Sequence, residues 1–147
     1  MPSTPRADSH TSSGATATGR MPPEQKPRHV VFVLLNNFTL LSFACATEAL
    51  RVANRMAGRE LYSWSLVAED GAAVTCSTGF RFEVDGDLSE LNRDDTILVC
   101  GGVDVQASST KRIVAWLRRE ARRGLQVAGL CTGAYTLARA GLLDGKK

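Results

Sequence analysis

The chain has 147 residues, 44% hydrophobic and 22% charged, with a formal net charge of +3. That is enough for one domain with its own core, at the composition of a soluble globular protein. The mild positive balance comes without a dense basic run, so charge alone does not argue for a nucleic-acid surface. No apolar stretch approaches the length of a membrane span, and the start lacks the apolar core of a secretory signal, so the expected location is cytoplasmic. Four cysteines, at 45, 76, 100 and 131, form no Cys-x-x-Cys pair, and His10 and His29 lie far from them in sequence. This pattern argues against a zinc site and fits reduced, buried thiols.

Residues 1–28 are rich in Ser, Thr, Pro, Ala and Gly and read as a disordered tail; the domain is expected over 29–147. His29–Leu35 is apolar throughout rather than alternating, as a central parallel strand covered on both faces would be. Asn36-Asn37 turns the chain, and residues 38–42 are expected as an apolar loop. A helix follows over 43–56, with Phe43, Ala46, Leu50 and Ala53 on its buried stripe and a weak Glu48–Arg51 pair outside. Gly58 stops it.

Residues 62–68 predict a second strand, with Trp64 packing against the core. Residues 74–77 and 80–84 predict a hairpin around Thr78-Gly79. Thr96–Cys100 is again a continuous apolar run and ends in Gly101-Gly102. An amphipathic helix is expected over 110–123, its apolar side Ile113, Val114, Trp116, Leu117 and Ala121, its basic side a solvated outer face. Trp116 is expected in the core.

Residues 126–130 form the last strand. It runs into Gly129-Leu130-Cys131-Thr132-Gly133, and a helix follows to about Arg139, ended by Gly141. The bracketing glycines remove side chains that would clash in a sharp strand-to-helix turn. Such a turn leaves Cys131 exposed at a strand's carboxyl end, near the positive end of the next helix.

Alternating strands and helices predict an α/β fold, with a mostly parallel central sheet and helices on both faces. Ligands in such sheets sit at the carboxyl ends of the strands, where residues 36–42, Gly101-Gly102 and the Cys131 turn gather.

The order of these pieces resembles the class I glutamine amidotransferase-like superfamily, with its flavodoxin-like fold, and more closely its PfpI-type branch. Residues 38–44 and 47–54, and Ala134–Gly145, are similar to the amino-terminal ligand-sensing domain of AraC-type transcription regulators, notably those answering to glycine betaine, carnitine or arginine. The resemblance implies that Cys131 stands at the nucleophile position. It implies that Gly101 and Gly102 match the backbone donors of an oxyanion hole, where fixed N–H dipoles meet developing charge. Ser42 falls at the place of the enzymes' acidic residue, and Thr132 at the place of the histidine that follows the nucleophile in PfpI-type proteases. A hydroxyl is no carboxylate base, and a triad needs nucleophile, base and orienter in contact. The expectation is therefore a vestigial nucleophile and no catalytic residues. Ser42, Gly101, Gly102, Cys131 and Thr132 would instead line a site for a small-molecule effector, with no cofactor or metal.

The resemblance further implies a homodimer, and DNA binding through a carboxyl-terminal helix-turn-helix region that this chain lacks. The chain reads as a domain incomplete at its carboxyl end, with a sheet edge left uncovered. Two other readings stand beside the sensor. One is a PfpI-type thiol enzyme (amidohydrolase, hydratase or glyoxalase-like) using Cys131. The other is a redox sensor pairing Cys100 with Cys131.

Overall fold

The structure is a computed structural model describing residues 25–146. Of the tail expected over 1–28, residues 1–24 lie outside the described residues, and Arg28 already belongs to the first strand. Strand β1 (Arg28–Leu34) begins one residue earlier than expected, with the Arg28 N–H donating to the Leu61 carbonyl. It is followed by α1 (Leu40–Ala57), β2 (Tyr62–Val67), the short strands β3 (Val74–Thr75) and β4 (Arg81–Phe82), and β5 (Thr96–Cys100). Then come α2 (Val105–Ser108), α3 (Lys111–Arg122), β6 (Gln126–Leu130) and α4 (Gly133–Arg139).

The main sheet has the order β2-β1-β5-β6, every pair parallel. Because β1 has strands on both sides and layers on both faces, its unbroken apolar run is explained by burial. Val31, Val33 and Leu35 join Ile97 and Val99 against α3 and α4, whereas Val30, Phe32 and Leu34 meet α1 and the β3–β4 hairpin. The strand order doubles back between β1 and β5, which opens a crevice at their carboxyl ends.

Aromatic rings knit the second face. Phe38 and Phe43 meet edge to face at 5.4 Å, and Phe82 lies 5.4 Å from Phe38 and 5.7 Å from Phe43. Such T-shaped contacts satisfy the ring quadrupoles and fix orientation. Phe38 is fully buried, and its backbone bridges both Cys76 and Gly102. It therefore clamps the loop after β1 between the hairpin and the end of β5.

Several expectations need correction. Helix α1 starts at Leu40 rather than 43, so residues 40–42, expected in a loop, form its first turn. Thr39, extended at φ −71° and ψ 111°, is its N-cap residue, and its hydroxyl makes no cap bond. The hairpin forms with shorter strands, in the register Val74↔Phe82 and Thr75↔Arg81. The one-turn helix α2 was not foreseen, being too short for a periodic signal. Trp64 is 37% exposed, whereas Trp116 is buried and donates its ring N–H to the Ser89 carbonyl at 2.9 Å. Cys45 is exposed on α1.

The basic side of α3 is exposed at Lys111, Arg112, Arg118, Arg119 and Arg122, as expected. Glu120 is fully buried and paired with Arg119 at 2.9 Å and with Arg123, whose other nitrogen reaches the Leu91 carbonyl at 2.9 Å. A buried carboxylate demands such partners. Here they tie α3 to the loop before β5. The Glu48–Arg51 pair forms at 2.6 Å on an exposed face, where it contributes little.

Two outcomes follow. Phe38→Ala should cost about 3–5 kcal/mol of stability, read from urea unfolding, because it empties a dry aromatic cluster. A cost comparable to that of a surface substitution would show that the loop after β1 is not clamped. Burial pushes the Cys100 thiol up from its ordinary 9.0 to about 12. The stability gained by burying the neutral thiol is thus present below about pH 9 and lost as pH rises toward about 12. The urea midpoint should fall between about pH 8 and pH 10.5, and Cys100→Ala should flatten that fall.

Candidate functional site

Three loops leave the carboxyl ends of β1, β5 and β6 and converge. The backbone builds the frame. The Thr39 N–H donates to the Gly101 carbonyl at 3.0 Å, the Val103 N–H to the Asn37 carbonyl at 3.1 Å, and the Gly101 N–H to the Leu130 carbonyl at 3.3 Å. The approach is so close that a β-carbon on Gly102 would lie 2.0 Å from the Asn37 carbonyl oxygen. One on Gly133 would lie 2.0 Å from the Val99 carbonyl oxygen. Contacts under 3.0 Å are not tolerated, so glycine is dictated at both positions by space and not by backbone angle.

The left-handed angle falls on Cys131 itself, at φ +53°. For a non-glycine residue this conformation costs about 1–2 kcal/mol, which the surrounding frame must hold. The bend turns the chain from β6 into α4 and leaves Cys131 exposed. Its Sγ lies 3.4 Å from Thr39 Oγ1. Thr132, next in the chain, donates its hydroxyl to the Gly102 carbonyl at 2.8 Å instead of capping α4.

Of the expected site residues, Gly101, Gly102, Cys131 and Thr132 come together. Ser42 sits in the first turn of α1 and donates its hydroxyl to the Thr39 carbonyl at 3.0 Å. Thr39, missed in the sequence, supplies the side chain that meets the thiol. Gly101 spends its N–H on Leu130, whereas the Gly102 N–H has no acceptor among the described residues. Of the two proposed oxyanion donors, only Gly102 therefore has its N–H free of an internal acceptor.

Among the described residues no carboxylate or imidazole hydrogen-bonds Cys131. The His29 ring lies near the start of β1, held between Ser63 Oγ at 2.8 Å and Ser65 Oγ at 2.9 Å, at the opposite end of the parallel strands from the thiol. Cys100 pairs in register with Leu130, one residue before Cys131, yet both thiols are free. Cys100 is wholly buried and Cys131 is exposed. Among the described residues no group of three or more His, Cys, Asp or Glu is placed to hold a metal ion, and no helix is long and apolar enough to cross a membrane.

The frame makes a testable contrast between two glycines. Gly79 has φ +88° in an open turn with nothing near its missing β-carbon. Gly79→Ala should cost about 1 kcal/mol, from the backbone angle alone. Gly102→Ala should cost clearly more in the same urea titration, since backbone must move. The reverse ranking would show that the loops can part.

A model of the DJ-1/PfpI family matches residues 28–147. The HTH-type transcriptional regulator GbdR of Pseudomonas aeruginosa is 44% identical over 129 residues, covering 88% of this chain and 35% of that protein. The HTH-type transcriptional regulator CdhR of Pseudomonas aeruginosa is 40% identical over 116 residues, covering 79% of this chain and 34% of that protein. The chain thus spans about a third of the length of these curated relatives. The crystal structure of an AraC family transcriptional regulator from Pseudomonas putida superimposes with a TM-score of 0.68 at 29% identity, over 80% of this chain and 63% of that chain. The family match runs from the first residue of β1 through every described strand and helix, and the chain belongs to the DJ-1/PfpI family.

Proposed function

We propose that this domain is the ligand-sensing part of an AraC-type, HTH-type transcriptional regulator acting in the cytoplasm, and not an enzyme. One observation carries the reading. The strained cysteine turn is kept, but the side chain that meets its thiol is the hydroxyl of Thr39, which cannot act as a base at neutral pH. A thiol without a proton acceptor recognises better than it reacts. The similarity to regulators whose names carry a helix-turn-helix supports the same reading.

In this reading a small effector, amino acid-like or a quaternary ammonium metabolite, sits at the strand ends. It touches Cys131, Thr39 and Thr132 and takes a hydrogen bond from the Gly102 N–H; Ser42 stiffens the loop from behind. Binding shifts a homodimer between arrangements that differ in DNA affinity, and the DNA is read by a helix-turn-helix region outside this chain. The size of the response is set by the effector's preference for one arrangement over the other.

The test uses the full-length regulator, with glycine betaine, carnitine and arginine as probes in calorimetry and in a promoter-reporter assay. At least one probe should bind and change promoter output. Thr39→Val should weaken that probe about two- to tenfold, the loss of one modest hydrogen bond. Silence toward all three in both assays would overturn the proposal. A specific observation favours a second reading, a thiol enzyme, because Cys131 is exposed and strained. Turnover of an amide, nitrile or α-oxoaldehyde that vanishes in Cys131→Ser would establish that reading instead.

A further inference from the structure

A cleft of about 470 Å³ opens at the carboxyl ends of β1 and β2, closed on one side by the segment around α2. Asn37 lies between it and the frame around Cys131, but none of Thr39, Gly101, Gly102, Cys131 and Thr132 lines it. Its floor is apolar, made by Leu34, Leu35, Val74 and Ile113 together with small alanines. The cleft therefore exists as a shaped space irrespective of its charges, and it has the volume of a small-molecule site.

The charges on its wall are all of one sign. Glu69, Asp70 and Asp104 line it, and no Lys, Arg or His does among the described residues. This is conspicuous in a chain whose net charge is +3. Glu69 is oriented by the Thr110 hydroxyl, which donates to its Oε1 at 2.8 Å while the Thr110 side chain caps α3. Asp104 stands on a left-handed backbone at φ +56°, immediately before α2. Low-dielectric walls around like charges focus an attractive field for a cation.

We infer that this cleft is a binding site for a small organic cation with a short apolar body and no carboxylate of its own, of the alkyl diamine kind. The ammonium groups pair with Glu69 and Asp104, and the methylenes lie against Ala72, Ala73 and Ala107, which keep exposed surface in the lining. A zwitterion of the same length is rejected, because its carboxylate would face the acidic wall and find no cation there. The inference stands apart from the effector site at Cys131 and does not require it.

The probes are putrescine and 4-aminobutyrate, which share a short methylene chain and differ in one end group. They are titrated into the full-length protein by calorimetry at about 0.15 M ionic strength, where loose surface pairing is screened. Putrescine should bind, and 4-aminobutyrate should bind at least about tenfold more weakly. Glu69→Gln and Asp104→Asn should each weaken putrescine about tenfold, the loss of one charge-assisted hydrogen bond. Gln keeps an acceptor for Thr110, and Asn tolerates the left-handed angle, so both variants should unfold at wild-type urea concentrations. Asp94→Asn, an exposed carboxylate just before β5, at the far end of the sheet, should leave putrescine binding unchanged. Absence of putrescine binding, equal affinity for the two probes, or equal weakening by Asp94→Asn would each overturn the inference.

Discussion

Everything at the strand ends depends on one steric constraint: backbone touches backbone where β5 ends. Gly102 lies against the carbonyl of Asn37, and Gly133 against the carbonyl of Val99. No β-carbon fits at either contact. The loops after β1 and β6 are thereby drawn onto the end of β5, and the hydrogen bonds from Thr39 to Gly101 and from Gly101 to Leu130 lock the arrangement. The strained angle at Cys131 survives because this frame over-determines it. Phe38 holds the same frame through the contacts of its ring with Phe43 and Phe82, and the thiol is met by Thr39.

The sheet and its two covered faces were legible in the sequence because the signal is local. The runs at 30–35 and 97–100 are apolar at every position, as a strand buried on both faces requires. The cysteine turn was legible for the same reason, since its glycines bracket it within five residues. Thr39 was not, because it meets Cys131 across 92 residues of chain and no spacing rule reaches that far. Ser42 was placed at the site by likeness of motif. In the fold, one extra turn of α1 directs its hydroxyl back to Thr39.

Charge was read less well than hydrophobicity. Nothing in the sequence marked Glu120, yet it is fully buried and paired with Arg119 and Arg123. Glu69 and Asp70 follow the end of β2 and Asp104 precedes α2, and neither place carried a sequence signal linking them. They share a cleft only because β2 and β5 flank β1 on opposite sides, so that the ends of distant segments become neighbours. Patterns of apolar residues report which way an element faces. Polar side chains take their meaning from partners that the topology supplies later.

The frame at the strand ends is held mostly by main-chain atoms, joined by the Thr132 hydroxyl on the Gly102 carbonyl, and this separates architecture from chemistry. Positions 39, 42 and 131 contribute hydroxyl and thiol groups, while the contacts that keep the loops in place run through carbonyls and amides. Exchanging the groups at positions 39 and 131 would remove none of those main-chain bonds. A lineage built on such a frame can drift between reacting with small molecules and merely recognising them by single substitutions, without passing through unfolded ancestors.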